Sequence, residues 1–476
     1  MAGCGISSVY GSKNPLRDLY ILQKSLQHRG QESAGFALGS NGYYLVFADY
    51  GSVDHVFYEY VGKASIRAHM GIGHNRYSTT GSSTGQNSQP LKVGDWVLGH
   101  NGNLINTFAL FEKYSEKHTF RTTTDSEIIC YMLDQEKDPF KAAERIFDEC
   151  EGAFNIVAMN NKGEQVLIRD AHAFHPFVWT DKRDDGSIYS ASEDIALAAL
   201  GIFDWKEVPP GEAIVIREGG EIERKNYSDN RRLWRCPVEV LYHMAHGSVY
   251  VAGGERKLVL EARKRWGGML DQKYPFEADV HSYVPSSGLG YAMCALFDDA
   301  FSVNRFGGRI FMSPEGKGEQ VEEALHLNRI ERSMLKNPPI KKVVDGKRIL
   351  LKDDTGIRIN NAKAQSKSLF QAGAKSVAFQ IAGAPIRYPC FMGFDHAQRK
   401  NLGAARFPDV EQANSGVAAA IADYCGVERN RVKVGYLDID EMTEPLGGSC
   451  ENCLSCFTGV YPSEIPDNLK AKLSLD

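Results

Sequence analysis

Near residue 236 the sequence changes texture, and no single type of β-sheet accommodates both sides of that change. From residue 4 to about 230, short apolar runs such as GYYLVFADYG, DWVLGHNG and FNIVAMNN are separated by turns rich in Gly, Ser, Thr and Asn. That pattern predicts antiparallel sheet, with LRDLYILQKSLQHR as a helix and VPPGEAIVIREGGEIERKNY closing the half as a hairpin. Beyond 236, ADVHSYVPSSG, KRILLKDDTG and SVAFQIAGAP read as strands separated by helical stretches such as AQSKSLFQAGA. Strand–helix alternation predicts a parallel sheet, whose ligands sit at the C-terminal strand ends. Here those ends are Ser286 to Gly288 and Asp353 to Asn361. The polar NYSDNRRLWR makes a linker, giving expected domains at 4–232 and 233–476. At 476 residues the chain is too long for one ordinary core.

Composition excludes several classes. A net charge of -5 gives no electrostatic reason to expect nucleic acid as a partner. No apolar run approaches the roughly 18 residues that a membrane span requires, so no membrane role is expected. MAGCGISSVYGSK has neither the basic nor the apolar region of a secretory signal, and the expected location is cytoplasmic. With ten cysteines in such a chain, metal or catalytic roles gain weight over disulfides. Cys130, Cys150, Cys294 and Cys425 lie in helix-like apolar surroundings and read as small buried hydrophobes.

Cys4 stands where its own freed α-amino group, with a pKa of about 8, could act as general base for the thiol. A buried structural cysteine would occupy the same position, but the downstream motifs favour chemistry. These are LQHRGQESAG (Leu26 to Gly35), GHNRYSTTG (Gly73 to Gly81), GHNGNL (Gly99 to Leu104) and TTTDSEII (Thr122 to Ile129). Glutamine is a zwitterion. Arg76 offers its carboxylate a bidentate fork, and Asp125 offers its amine a counter-charge. A tetrahedral intermediate needs donors for its oxyanion, and Asn101 with the Gly102 N–H suits that role.

Read in order, and on through RDAHAFHPF, SASEDIALAALG and VPPGEAIVI, these segments resemble the glutamine phosphoribosylpyrophosphate amidotransferase (amidophosphoribosyltransferase) family. The resemblance implies an α+β N-terminal-nucleophile glutaminase domain of four αββα layers, then an α/β type I phosphoribosyltransferase-like domain. It assigns Cys4 as nucleophile, Arg76 to the glutamine carboxylate, Asn101 and Gly102 to the oxyanion hole and Asp125 to the glutamine amine. Arg29 and His28 match a motif lining the same region. The mechanism requires that Met1-Ala2-Gly3 be removed, and the family's short propeptides allow this. The family's habit also implies a homo-oligomer.

Cys450, Cys453 and Cys456 form a dense thiol group whose spacing fits zinc or an iron–sulfur cluster, with a further thiolate available from Cys236 or Cys390. Some branches of the family bind four irons and four sulfides, and their ligand contexts match RRLWRCPVEV, IRYPCFMGFD and NCLSCFTGVYPSEI. The resemblance therefore implies a 4Fe-4S cluster on Cys236, Cys390, Cys453 and Cys456, with Cys450 as an extra. It would tie linker, sheet domain and tail together.

The second half keeps the framework of the family but departs from it at chemistry-bearing positions. Asp353, Asp354 and Thr355 remain as acceptor-binding residues, and Mg2+ is the ion such acids would meet. The loop's expected Gly-Thr-Thr ending is Ile359-Asn360-Asn361. An Ile there is expected to put a β-branched side chain where the backbone must approach an anion. The family's Pro-Asp-Ser-Gly is Pro285-Ser286-Ser287-Gly288, and its basic positions read Glu323-Ala324-Leu325-His326-Leu327-Asn328, although Arg305, Arg309 and Arg358 remain. The expectation is a glutamine-dependent amidotransferase whose acceptor is an unidentified small molecule other than ordinary phosphoribosylpyrophosphate. Two alternatives stand beside it. One is an orthodox amidophosphoribosyltransferase making 5-phosphoribosylamine for purine synthesis. The other is a protein with a catalytically dead second domain that supplies ammonia or binds a nucleotide.

Overall fold

The computed structural model describes residues 3–40, 42–60, 67–76, 85–136, 138–228, 232–285, 287–297, 300, 337–394 and 398–475. The expectations placed on Met1-Ala2, Tyr77 to Gly81, Ser286, Arg305, Arg309 and Glu323 to Asn328 lie outside these residues.

The first half supplies strands β1 (Gly5–Tyr10), β2 (Ser33–Ser40), β3 (Tyr43–Tyr50), β4 (Met70–Arg76), β5 (Leu91–Val93), β6 (Trp96–Leu104), β7 (Gly152–Asn160), β8 (Gln165–Arg169), β9 (Val178–Trp179), β10 (Ile188–Ala191), β11 (Lys206–Glu207), β12 (Glu212–Ile216) and β13 (Ile222–Asn226). Among the described residues they form two antiparallel sheets, ordered β11-β9-β10-β1-β4-β2-β3 and β13-β12-β8-β7-β6-β5. The sheets face each other. Ile6, Ile72 and Met70 from one meet Val97, Val157 and Ile214 from the other in a shared core.

Each sheet is covered on its outer face by amphipathic helices. Leu19 and Leu22 of α1 (Pro15–Ser25) and Val56 and Phe57 of α2 (Val53–Tyr60) pack on the first sheet. Leu110 of α3 (Thr107–Ser115), Ile128 and Met132 of α4 (Asp125–Gln135) and Ala143 and Ile146 of α5 (Pro139–Glu149) pack on the second. Strands buried on both faces explain the near-continuous apolar runs in β7 and β8. The result is the expected αββα stack.

After residue 232 a π-helical turn, Glu239–His243, leads to a hairpin of β14 (Val249–Ala252) and β15 (Glu255–Leu258). Then β16 (Val280–Tyr283), β17 (Arg348–Asp353), β18 (Ser376–Ile381) and β19 (Val432–Tyr436) pair in parallel in that order. Helices Asn360–Gln371 and Val410–Cys425 pack on this sheet through Leu369, Val417 and Ile421. No described helix is long and apolar enough to cross a membrane.

Candidate active site

Cys4 and Arg76 come together because two adjacent strands end side by side. β1 pairs with β4 through Gly5–Asn75, so the antiparallel register sets Cys4 beside Arg76. Arg76 also faces Ser33 of β2. Both Cys4 and Arg76 are buried.

Asn101 and Gly102 lie in β6, opposite Asn155 and Phe154 of β7. Asn101 is 1% exposed, and its Nδ2 has no hydrogen-bond partner. A buried donor left unpaired costs about 1–3 kcal/mol, and a developing oxyanion is the kind of acceptor that would satisfy it. Only glycine fits next to it, because a Cβ on Gly102 would stand 2.0 Å from the Ala153 carbonyl oxygen.

Asp125 opens α4 and is buried. Its Oδ2 accepts from the Leu104 N–H at 2.9 Å, which ties the carboxylate to the end of β6. His100 Nδ1 lies 3.7 Å from its other oxygen. Burial pushes the His100 ring below the usual histidine range even with Asp125 beside it.

Arg29 sits behind Cys4 rather than in the open. It is fully buried, and its Nε donates to the Cys4 carbonyl at 3.1 Å. Nη1 donates to Glu193 at 2.6 Å and Nη2 to Glu239 at 2.8 Å. Burial opposes its charge, but Glu239 and Glu193 hold the guanidinium charged. His28 Nε2 shares Glu193 at 2.9 Å, and His175 Nδ1 meets Glu239 at 2.6 Å. Burial alone would raise the Glu239 carboxyl, yet Arg29 and the His175 hydrogen bond pull it down to about 2. Sequence reasoning missed Glu239 and His175. The signals were their places in two matched segments, Glu239 three positions after Cys236 and His175 in RDAHAFHPF.

At the end of the parallel sheet, Asp353 and Asp354 stand side by side. Ser287 Oγ donates to Asp353 at 2.9 Å, and Thr355 Oγ1 donates to Asp354 at 2.6 Å. Burial and the neighbouring Asp354 push the Asp353 carboxyl well above the usual range. Ile359 corrects the expectation placed on it. It takes the left-handed conformation at φ 49° as the residue before the helix Asn360–Gln371. Its side chain is 8% exposed and turns into the core, where it packs against the site of Gly403. The β-branched group therefore does not cover the loop. Among the described residues, the backbone N–H groups of Gly356 to Asn361 donate to no protein acceptor.

Cys236, Cys390, Cys453 and Cys456 line one cavity together with Phe174, Phe391 and Phe394. Exposed Cys450 does not line it. Backbone bonds converge on the cavity from three segments: Cys236 N–H to Phe174, Cys453 N–H to Arg235, and Arg387 and Tyr388 N–H to Cys456. Burial, then the neighbouring thiols, push Cys236 and Cys456 well above the usual thiol range. Among the described residues no three His, Cys, Asp or Glu side chains converge tightly enough to hold a single metal ion. The four other cysteines divide: Cys130, Cys150 and Cys425 are buried, while half-buried Cys294 has Lys352 Nζ 3.0 Å from its sulfur.

Known proteins resemble this chain along almost its whole length. The glutamine amidotransferase domain family matches residues 74–199. The amidophosphoribosyltransferase of Methanocaldococcus jannaschii is 31% identical across 97% of this chain and 98% of its own length. That of a Synechocystis species is 31% identical across 99% and 94%. The solved glutamine phosphoribosylpyrophosphate amidotransferase of B. subtilis, complexed with ADP and GMP, superposes with a TM-score of 0.80 at 26% identity over 98% of each chain. It has the same succession of an N-terminal-nucleophile glutaminase domain and a type I phosphoribosyltransferase domain. On these grounds the chain belongs to the amidophosphoribosyltransferase family and is a glutamine amidotransferase.

Proposed function

We propose that this chain carries out the family's orthodox reaction, moving the amide nitrogen of glutamine onto phosphoribosylpyrophosphate to give 5-phosphoribosylamine and pyrophosphate. The full-length likeness to relatives named for that reaction carries the reading. The sequence-based expectation of a different acceptor finds no support in these relatives. Its steric argument fails with Ile359, whose side chain is buried away from the loop.

Cys4 attacks the glutamine amide carbon while its freed α-amine takes the thiol proton. Arg76 and Asp125 hold the two charged ends of glutamine. Asn101 Nδ2, unpaired in the resting site, and the Gly102 N–H receive the oxyanion. Arg29 positions Cys4 through its carbonyl. Ammonia leaves, and water hydrolyses the thioester to glutamate. In the second half, Asp353 and Asp354 take the ribose hydroxyls, and the free N–H groups ahead of the helix Asn360–Gln371 take the 5-phosphate, as helix N-termini do. The hard oxygens of the acidic pair suit Mg2+.

The four thiols sharing one cavity would hold a 4Fe-4S cluster as a structural tie. Four thiolates are the ordinary ligands of such a cluster, and a zinc ion on the same four thiolates is the competing occupant. Quantitation of iron and acid-labile sulfide on anaerobically purified protein checks this, with four of each expected per chain.

The acceptor is tested with ammonium chloride in place of glutamine. Pyrophosphate release from phosphoribosylpyrophosphate is expected, and it is expected to be lost in D354N. No pyrophosphate release from the wild-type protein would remove the reading.

A further inference from the structure

His243 ends the π-helical turn Glu239–His243, beyond the linker. Its ring is 5% exposed, and neither Nδ1 nor Nε2 has a hydrogen-bond partner. Native structures rarely keep a buried ring orphaned at both nitrogens without a use for it. The ring packs on Phe394 and edge-on to Tyr242, with centroids 4.8 and 5.1 Å away. The neighbouring Glu239 gives Oε1 to Arg29 and His175, and its Oε2 makes no hydrogen bond to His243 or any other group.

What His243 faces is Gly3. A Cβ on Gly3 would stand 3.3 Å from His243 Nδ1 and 3.2 Å from Arg29 Nη2. The Gly3–Cys4 peptide bond, which has to break before Cys4 has a free amine, therefore lies beside an unpartnered imidazole and a guanidinium. Burial holds the ring neutral despite Glu239, and Arg29 and His28 add to that effect. One nitrogen thus has a free lone pair at neutral pH.

We propose that His243 is the proton carrier for self-cleavage of the Gly3–Cys4 bond, an inference that rests on Cys4 being the nucleophile. The Cys4 thiol gives its proton to His243 as the sulfur attacks the Gly3 carbonyl carbon. The C–N bond then breaks while the imidazolium returns that proton to the departing Cys4 nitrogen. The product is a thioester between Gly3 and Cys4 with a free α-amine. Water adds to the thioester carbonyl and the C–S bond breaks, which leaves a Gly3 carboxylate and the restored thiol. One water is consumed, and no oxidant or reductant is needed. Arg29 Nη2 stands where it can receive the oxyanion of the first step. Because His243 lies beyond the linker, the glutaminase is released only once the second half has folded against it.

The test is intact-mass analysis of the full chain during timed incubation after purification. The wild-type protein is expected to begin at Cys4. H243F, which keeps an apolar ring against Phe394, is expected to retain the residues ahead of Cys4 and to lose them at least tenfold more slowly. Deleting Ala2 and Gly3, so that methionine aminopeptidase exposes Cys4 directly, is expected to restore glutamate release to H243F, to within threefold of the same deletion carrying His243. Cleavage of H243F at the wild-type rate would overturn the inference. So would a shortened H243F that stays inactive, because His243 would then serve something other than cleavage. A wild-type protein that never begins at Cys4 would instead take down the Cys4 reading itself, and this inference with it.

Discussion

Asn101 concentrates the residue-scale argument, since a buried amide donor with no protein partner is costly and a developing oxyanion would satisfy it. N101A is expected to lower kcat for glutamate release by roughly 10²–10³-fold with a smaller change in KM, as measured by steady-state kinetics. An unchanged kcat would place the oxyanion elsewhere. The neighbouring placement of Cys4 and Arg76 at the ends of paired strands was not legible, because strand register is not written in either motif. Ile359 was misread for a physical reason. A β-branched residue in a loop suggests steric cover, but a left-handed φ of 49° at the turn into the helix swings its side chain into the core. Sequence reports the residue type and not that direction.

At the scale of elements, β6 and β7 form the platform of the proposed oxyanion hole. G102A would place a methyl group 2.0 Å from the Ala153 carbonyl oxygen, and the pairing of the two strands must open to admit it. The expected cost is about 1–3 kcal/mol, read as a lower urea midpoint together with reduced glutaminase activity. A wild-type midpoint would mean the strands have more room than they show. Long apolar strands such as β7 and β17 were readable from pattern alone. The π-helical turn and the β14–β15 hairpin were not, because a five-residue turn and two four-residue strands carry too few residues for periodicity to register.

Across the whole molecule, the two halves are joined by a buried charge network. Arg29 and Glu239 are 210 positions apart in sequence and 2.8 Å apart in space, a pairing that no local pattern announces. The Glu239 carboxyl is held at about 2 against an ordinary 4.5. A lowered carboxyl stabilises the fold fully above pH 4.5 and loses that contribution as pH falls from 4.5 towards 2. Thermal unfolding followed from pH 7 down to 3 is therefore expected to show E239Q less stable at pH 7, by about 3 kcal/mol, with the gap to wild type narrowing on acidification. A constant gap would show that the ion pair is not its source. The thiol quartet lines one cavity in the same region, where the Cys453 N–H to Arg235 bond joins the linker to the C-terminal segment. C456S is expected to lose the proposed cluster and to make the segment after residue 450 the first site of limited proteolysis.

The central claim is that nitrogen freed at Cys4 is delivered to phosphoribosylpyrophosphate within one chain. Glutamate and pyrophosphate measured together, in one reaction started with glutamine and phosphoribosylpyrophosphate, test it most directly. The account predicts equal amounts of the two products from the wild-type protein. It predicts neither from C4S with glutamine, while C4S supplied with ammonium chloride still releases pyrophosphate. Glutamate formed without matching pyrophosphate would contradict it.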